Sequence, residues 1–339
     1  PAFRKPEMLA QDVRRSAEMS NGPVFVLGDL RQAGGDYADR FLDAIHGYRG
    51  SVIIELFRPA SREFLRKVAA ALPNFTLEVS LESHDPAVRF AFGKAYGNEP
   101  MERTLADALD VGAQRLDVFF MCGLPQQTAD SVLGTIDYCG QLLHRFGRDG
   151  RLIPFISPLA PFLDPGSRGF ENPSEHGYRL LARSLEEHRQ RLVAPSWKYV
   201  LNYETNWMNR DALVDVTYAA GRRLNRLKAE YNLVPAAQAQ ATEARIDRAV
   251  ALIGEIDRLV ASCSPAEFER EMGRLKPEVD QVNMSTVCDK SELTVGMHGP
   301  KLRYRQVAQM LIEDTARALG RRLASPFRRL EPDYAPHNS

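Results

Sequence analysis

The chain has 339 residues, which is enough for one large domain or two ordinary ones. Charged residues make up 26% and the formal net charge is zero, so the composition shows no basic surface for nucleic acid or an acidic membrane. No apolar run is long enough to span a bilayer, and the polar, basic start does not resemble a secretory signal. We therefore expect a cytoplasmic protein that binds neither nucleic acid nor membrane.

The first half of the chain is predicted to alternate between strands and helices. Several of its strands are nearly continuous apolar runs, which is typical of strands buried on both faces of a parallel sheet, either open or curled into a barrel. No GxGxxG follows the first strand and no GxxxxGK[ST] occurs, which argues against the common phosphate-loop folds. The predicted strands cover 23–30, 51–57, 75–83, 115–123 and 151–159, and the predicted helices cover 36–46, 61–72, a stretch from 85, 101–111, 126–145 and 174–187.

The second half changes character and is predicted to be helical. From Trp207 onward, apolar residues recur at three- and four-residue spacing, as on the buried side of helices in a bundle. Residues 264–267 have the pattern of a capping box, and a further amphipathic helix is predicted over about 302–323, before a loose tail. We therefore divide the chain into an α/β domain over 1–195 and a helical domain over 196–339.

Small and polar residues gather at the carboxyl ends of the predicted strands, where parallel α/β folds bind their ligands. Glycine lets backbone approach a ligand closely, and a carboxylate or hydroxyl can hold a ribose hydroxyl or an amino group. Strict alternation along the third strand would put Ser80 and Glu82 on one face and Ser83 on the other. These residues are Gly28, Asp29, Ser80, Glu82, Ser83, Gly123, Leu124, Pro125, Ser157 and Pro158.

Three of these segments resemble, in the same order, segments of radical S-adenosylmethionine (SAM) enzymes. LEVSLESHDPAVRFAFGKAYGNE resembles that family's fourth-strand segment, in which a Ser-x-Glu-Ser run is followed about a dozen residues later by Lys or Arg. DVFFMCGLPQQTADSVLGTID resembles the fifth-strand segment with its Gly-Leu-Pro turn, and PFISPLAPFLDPGS resembles the sixth. The resemblance covers about residues 4–187 and is closest to the branch that often carries an upstream cobalamin-binding domain.

The resemblance implies a partial (β/α)6, TIM-like radical SAM barrel that lacks its first strand, followed by an α-helical region. It also implies that a reduced [4Fe-4S] cluster cleaves SAM to start radical chemistry on an unknown small-molecule substrate, with cobalamin in some relatives. Flavodoxin or ferredoxin would be the electron donor. By resemblance, SAM would contact Gly28, Asp29, Ser80, Glu82, Gly123, Leu124, Pro125, Ser157 and Pro158, with Arg89 and Lys94 as further candidates.

The chain departs from this family because it has no CxxxCxxC motif, whose three thiolates hold the cluster. Its four cysteines form no CxxC pair and lie at no zinc-site spacing, so we expect buried, reduced thiols and no metal ligands. Residues 3–7, FRKPE, resemble the stretch that follows the cluster loop in relatives. We therefore expect a fragment cut just after that loop, with an unpaired edge at its first strand and no activity by itself. The cysteines are Cys122, Cys139, Cys263 and Cys288.

Several alternatives stay open at this point. A cluster-free, TIM-type lyase or isomerase would need an acid–base pair such as Glu55 and Glu82, or a Schiff-base lysine, and the sequence shows no lysine at a strand end. A non-catalytic scaffold would use the helical half as its interface. Arg89 and Lys94 could be ordinary solvated helix charges, and Asp29 could cap a helix or pair with a neighbouring arginine.

Overall fold

The computed structural model describes residues 3–19, 22–34, 36–158 and 163–283, together with residues 288, 292 and 312. It has an α/β first half and an α-helical second half, as predicted. In chain order the elements are α1 (Pro6–Met19), β1 (Val24–Val26), a 3-10 helix (Leu30–Ala33), α2 (Tyr37–Ile45), β2 (Val52–Leu56), α3 (Arg62–Ala71), β3 (Phe75–Glu82), α4 (Pro86–Ala91), α5 (Asn98–Asp110), β4 (Arg115–Cys122), α6 (Ala129–Phe146), β5 (Leu152–Pro158), α7 (Arg168–Glu171), β6 (Tyr178–Leu180), α8 (Leu185–Leu192), α9 (Trp197–Val200), β7 (Tyr203–Thr205), α10 (Arg210–Glu230), α11 (Ala236–Ser262) and α12 (Pro265–Asn283).

A five-stranded sheet in the order β1-β2-β3-β4-β5 forms the centre of the first half. All four strand pairings are parallel, which confirms the parallel sheet that the alternating pattern predicts. Among the described residues, β1 pairs only with β2 and β5 pairs only with β4, so the sheet is open and its carboxyl ends share one edge.

The two faces of this sheet differ in composition. One face consists of fully buried apolar side chains that pack in a single core with the helices, and each such side chain stabilises the fold by roughly 1.5–3 kcal/mol. The opposite face carries charged and half-exposed side chains. The residues of the buried face are Val52, Ile54, Leu56, Leu77, Val79, Leu116, Val118 and Phe120.

The predicted helix over 174–187 is wrong. Residues Tyr178–Leu180 form β6 instead, which pairs antiparallel with β7, and α8 begins only after Ser184 with a capping box. The physical reason is tertiary contact: the Tyr178 hydroxyl donates to the main-chain oxygen of Gly123 across the molecule, and this packing overrides the local helical spacing. The sequence also gave no sign of α1, which buries Ala10 and Val13.

From Trp207 onward the described elements are all helices, as the spacing predicts, whereas β7 lies within the residues assigned to the helical domain. Asn209 caps α10 through its side chain, and α10 packs against α6 and β5 on one side and α11 on the other. At the start of α12, Glu267 accepts hydrogen bonds from both the main chain and the hydroxyl of Ser264. The helix predicted over 302–323 lies outside the described residues, except for position 312. None of the described helices combines the length and the apolar character needed to cross a lipid bilayer.

Candidate functional site

The carboxyl end of β3 holds a buried ion pair between Glu82 and Lys94. The Lys94 ammonium lies 2.5 Å from Glu82 Oε1 and 2.5 Å from the main-chain oxygen of Ser80, and it sits over the Phe57 ring at the end of β2. Only 4% of the Glu82 side chain and 14% of the Lys94 side chain are exposed. The two residues meet because the short helix α4 is soon followed by Gly93, whose positive φ turns the chain back toward the sheet.

The backbone of β3 is irregular where this pair forms. The register with β4 shifts by one residue, so that Ser80 pairs with Phe119 but Glu82 pairs with Phe120. Glu82 also has a φ of 68°, a left-handed conformation that costs a non-glycine residue roughly 1 kcal/mol or more. The alternation that predicted Ser80 and Glu82 on one face therefore does not hold, because a bulge adds Leu81 between them.

The Glu82 carboxylate is not fully satisfied by its surroundings. Burial raises its pKa, and the nearby Lys94 charge offsets that rise only in part. Its Oε2 atom is buried and has no hydrogen-bond partner among the described residues. A buried carboxylate oxygen without a donor is costly, and a ligand hydroxyl or amine could supply the missing donor.

Arg89, the other basic candidate residue nearby, hydrogen-bonds mainly to main-chain oxygens. Its guanidinium donates to the main-chain oxygens of Ser83 and Tyr96 and to the side chain of Asn98. The interpretation of Arg89 and Lys94 as solvated helix charges is wrong, because Arg89 is fully buried and Lys94 is nearly so. Arg89 therefore fixes the loop that carries Lys94, and burial lowers its pKa.

The two residues of interest after β1 have different surroundings: Asp29 bonds within the protein, whereas Gly28 faces open space. The Asp29 carboxylate has no exposed surface; it pairs with the Arg31 guanidinium at 2.5 Å, caps the 3-10 helix and accepts from the Phe57 main chain. Both structural alternatives for Asp29 thus hold at once. The Gly28 N–H donates to Glu55 Oε2 at 2.7 Å, and no atom lies within 4 Å of where a Gly28 side chain would begin.

The main-chain groups of the Gly-Leu-Pro turn after β4 are hydrogen-bonded to a side chain of the protein. Gln127 Oε1 accepts from the N–H groups of Gly123 and Leu124, while its amide donates to the main-chain oxygen of Met121. Gly123 has a φ of 94°, and a Cβ there would lie 2.8 Å from the Tyr203 hydroxyl. Gly123 is therefore required both by its backbone conformation and by Tyr203, which packs on it. The sequence did not predict this contact.

The remaining predicted residues lie around these loops. Leu124 and Pro125 are buried within the turn, Ser157 is exposed, and Pro158 is the last residue of β5. Cys122 is buried beside the turn, as expected, and burial raises the pKa of its thiol to about 12.

The described residues do not fit a [4Fe-4S] cluster. No group of three or more His, Cys, Asp or Glu side chains in the described part of the chain is placed to hold a metal ion. Cys122 and Cys139 are separately buried, and Cys263 is half-buried at the end of α11. The site at the end of β3 therefore suits an organic ligand rather than an iron–sulfur cluster.

Comparison with known proteins gives structural matches alone: no family model and no curated protein matches the chain. The methyltransferase TsrM from Kitasatospora setae, a radical SAM enzyme with cobalamin and a [4Fe-4S] cluster bound, is 17% identical over 45% of this chain and 24% of its own, with a TM-score of 0.28. Coproporphyrinogen III oxidase (HemN) from Escherichia coli is 11% identical over 75% of this chain and 78% of its own, with a TM-score of 0.33. Elp3 from Methanocaldococcus infernus is 12% identical over 68% and 60%, with a TM-score of 0.36.

Radical SAM enzymes are among these matches. TsrM and HemN are both described as such, and this is the family that the sequence resembles. The chain spans about a quarter of the TsrM chain. At these TM-scores the superpositions transfer the role of no residue to this chain.

Proposed function

We propose that this chain forms the SAM-binding part of a radical SAM enzyme and that the end of β3 contacts SAM. The observation that carries the proposal is the buried contact between Glu82 and Lys94. The two residues lie 12 positions apart in a segment that resembles the family, and they meet at the sheet edge where parallel α/β folds bind ligands.

Each residue at this edge has a distinct role in the proposal. Glu82 Oε2 accepts a hydrogen bond from a SAM ribose hydroxyl or amino group, and so gains the donor that it lacks in the protein alone. Lys94 holds Glu82 in place from its other oxygen, and Arg89 fixes the loop that carries Lys94. Gly28 leaves open space beside the same edge for the ligand to approach.

The reductive cleavage of SAM is not assigned to these residues. That step needs a cluster which the described residues do not fit, and when bound such a cluster would supply the electron that cleaves SAM. In our proposal the chain alone binds SAM without cleaving it. The cluster, the electron donor and any cobalamin belong to the whole enzyme, as does the radical chemistry on its small-molecule substrate.

Equilibrium dialysis of the purified chain against radiolabelled SAM tests this proposal. We expect saturable binding that Glu82→Gln weakens roughly tenfold, because a charged acceptor is replaced by a neutral one. Glu63→Gln is the matched control, since the Glu63 side chain on α3 is 82% exposed. Binding that is absent, or that is equal in Glu82→Gln and the native chain, would contradict the proposal.

One observation bears on the lyase alternative. The structure places the Lys94 ammonium at a strand end, where the sequence showed no lysine. A Schiff-base lysine must present a free amine, whereas Lys94 is paired with Glu82 and with a main-chain oxygen. We expect no adduct at Lys94 when the chain is treated with pyruvate and sodium borohydride, and mass spectrometry of the digest would detect one.

A further inference from the structure

Three carboxylates lie side by side across the middle of the sheet. The strand register pairs Glu55 on β2 with Glu78 on β3, and Glu78 with Asp117 on β4. Neighbouring strands are about 4.8 Å apart, so the three side chains line one face within roughly 10 Å. This is the face opposite the apolar core, and Glu55 and Glu78 are only half-buried on it.

Glu78 is the member of this acidic row without a partner. Glu55 accepts from the Gly28 N–H, and Asp117 accepts from Arg115 Nε at 2.6 Å, but Glu78 makes no hydrogen bond or ion pair with any described residue. Burial, together with the charges of Glu55 and Asp117, raises its pKa to about 7. Glu78 therefore lies between two other carboxylates, and no described residue supplies a cation for it.

Two described cations lie near Asp117, and both are already paired. Arg115 binds Asp117 and the main-chain oxygen of Glu292, and Lys228 pairs with the Glu292 side chain at 2.7 Å. Both cations lie on the Asp117 side of the row, around the Phe155 ring. Among the described residues, neither Glu55 nor Glu78 forms an ion pair, so a bound cation could balance their charge.

A second, independent feature on this face is the buried hydroxyl of Thr76. Thr76 precedes Glu78 by two residues on the same strand, so both side chains belong to the same face. The residue is fully buried, and its Oγ1 has no hydrogen-bond partner among the described residues. The Thr76 hydroxyl and the Glu78 carboxylate thus share one face, and both can accept from the N–H donors of a ligand.

The spacing of these acceptors selects the kind of cation. The described carboxylates are not grouped to hold a metal ion, which requires several short oxygen contacts at once. Ammonium and guanidinium groups carry several N–H donors and match carboxylates that are spread over several ångströms. The same face also carries the half-buried apolar side chains of Ile53, Phe119 and Ile153.

We propose that Glu55, Glu78 and Asp117 bind the protonated amine or guanidinium group of an amphipathic organic cation, whose apolar part packs on the neighbouring side chains. This assigns a substrate class to the enzyme, and to that extent it rests on the proposed function. Glu78 makes the principal contact, because Glu55 and Asp117 already have partners within the protein.

Calorimetric titration of the full chain with phenethylamine, near pH 8 so that Glu78 is ionised, tests the proposal. The matched ligand is 2-phenylethanol, which keeps the aromatic ring and removes the charge. We expect the amine to bind at least roughly tenfold more tightly than the alcohol, and Glu78→Gln to weaken amine binding roughly tenfold. Glu63→Gln, on the exposed side of α3, should leave the affinity unchanged.

Equal affinity for amine and alcohol, absence of amine binding, or an unchanged affinity in Glu78→Gln would each overturn the inference. If Glu78→Gln does not fold, Asp117→Asn is titrated with the same two ligands instead. We then expect a smaller loss of amine affinity, because Asp117 is already paired. SAM dialysis of the same preparations separates the two proposals. Amine binding without SAM binding overturns only the proposed function, and SAM binding without amine binding overturns only the substrate class.

Discussion

The carboxyl ends of β3 and β4 carry the two segments that most resemble radical SAM enzymes, yet they differ in how their polar groups are satisfied. At the end of β3 the backbone is bulged, Glu82 is strained, and its Oε2 has no donor. At the end of β4, Gln127 and Tyr178 bond the main chain of the Gly123 turn, and Tyr203 packs on the glycine.

This difference teaches that a motif locates a loop without deciding whether the loop is available to a ligand. Buried polar groups are almost always hydrogen-bonded, so a turn whose groups are bonded internally has little to offer a ligand. An unsatisfied carboxylate at a strained position is the exception that suggests a binding role. Three experiments test the contrast between these two strand ends.

The largest effect is expected at the end of β3. Lys94→Met removes the cation from a buried carboxylate, which typically costs about 3–5 kcal/mol of the free energy of unfolding. Burial raises the pKa of Glu82, so its ionised form destabilises the fold as pH rises through that pKa, and protonation relieves the cost below it. Urea unfolding should therefore show a larger loss near pH 8 than near pH 5.

The control for this experiment is Lys67→Met. The Lys67 ammonium pairs with Asp39 on the surface and its side chain is 46% exposed, so its loss should cost less than about 1 kcal/mol at either pH. A Lys94→Met chain that is as stable as Lys67→Met, or that loses the same free energy at both pH values, would show that Glu82 does not depend on its partner.

A smaller effect is expected at the end of β4. Gly123→Ala combines a left-handed backbone with a Cβ placed 2.8 Å from the buried Tyr203 hydroxyl, and should cost about 2–4 kcal/mol of unfolding free energy. Gly28→Ala is the matched comparison, because its φ of 88° is similar but its Cβ would meet nothing within 4 Å. That variant should cost only about 1–2 kcal/mol. Equal losses in urea unfolding would mean that Tyr203 does not constrain the turn.

The smallest effect concerns the thiol beside that turn. Burial raises the pKa of Cys122 to about 12, so it has almost no reactive thiolate at neutral pH, whereas Cys263 is half-buried at a helix end. Iodoacetamide treatment of the native chain should therefore modify Cys263 and leave Cys122 unmodified, as read by mass spectrometry. Modification of Cys122 at a rate similar to Cys263 would show that the β4 end is accessible.

The sequence by itself determined the order of elements and the class of fold. Apolar runs predicted the parallel strands, three- and four-residue spacing predicted α10 and α11, and the capping-box pattern at 264–267 predicted the start of α12. These features follow from the periodicity of buried side chains and from hydrogen bonds between near neighbours, which are local properties. The segment carrying both Glu82 and Lys94 was singled out differently, by its resemblance to a segment of radical SAM enzymes.

Only the tertiary structure decided what the strand ends and the exposed face contain. The bulge at Leu81, the pairing of Glu82 with Lys94, and the closure of the Gly123 turn all depend on groups brought together by folding. The acidic row of Glu55, Glu78 and Asp117 exists only once the register of three strands is fixed, because residues far apart in sequence become neighbours across a sheet.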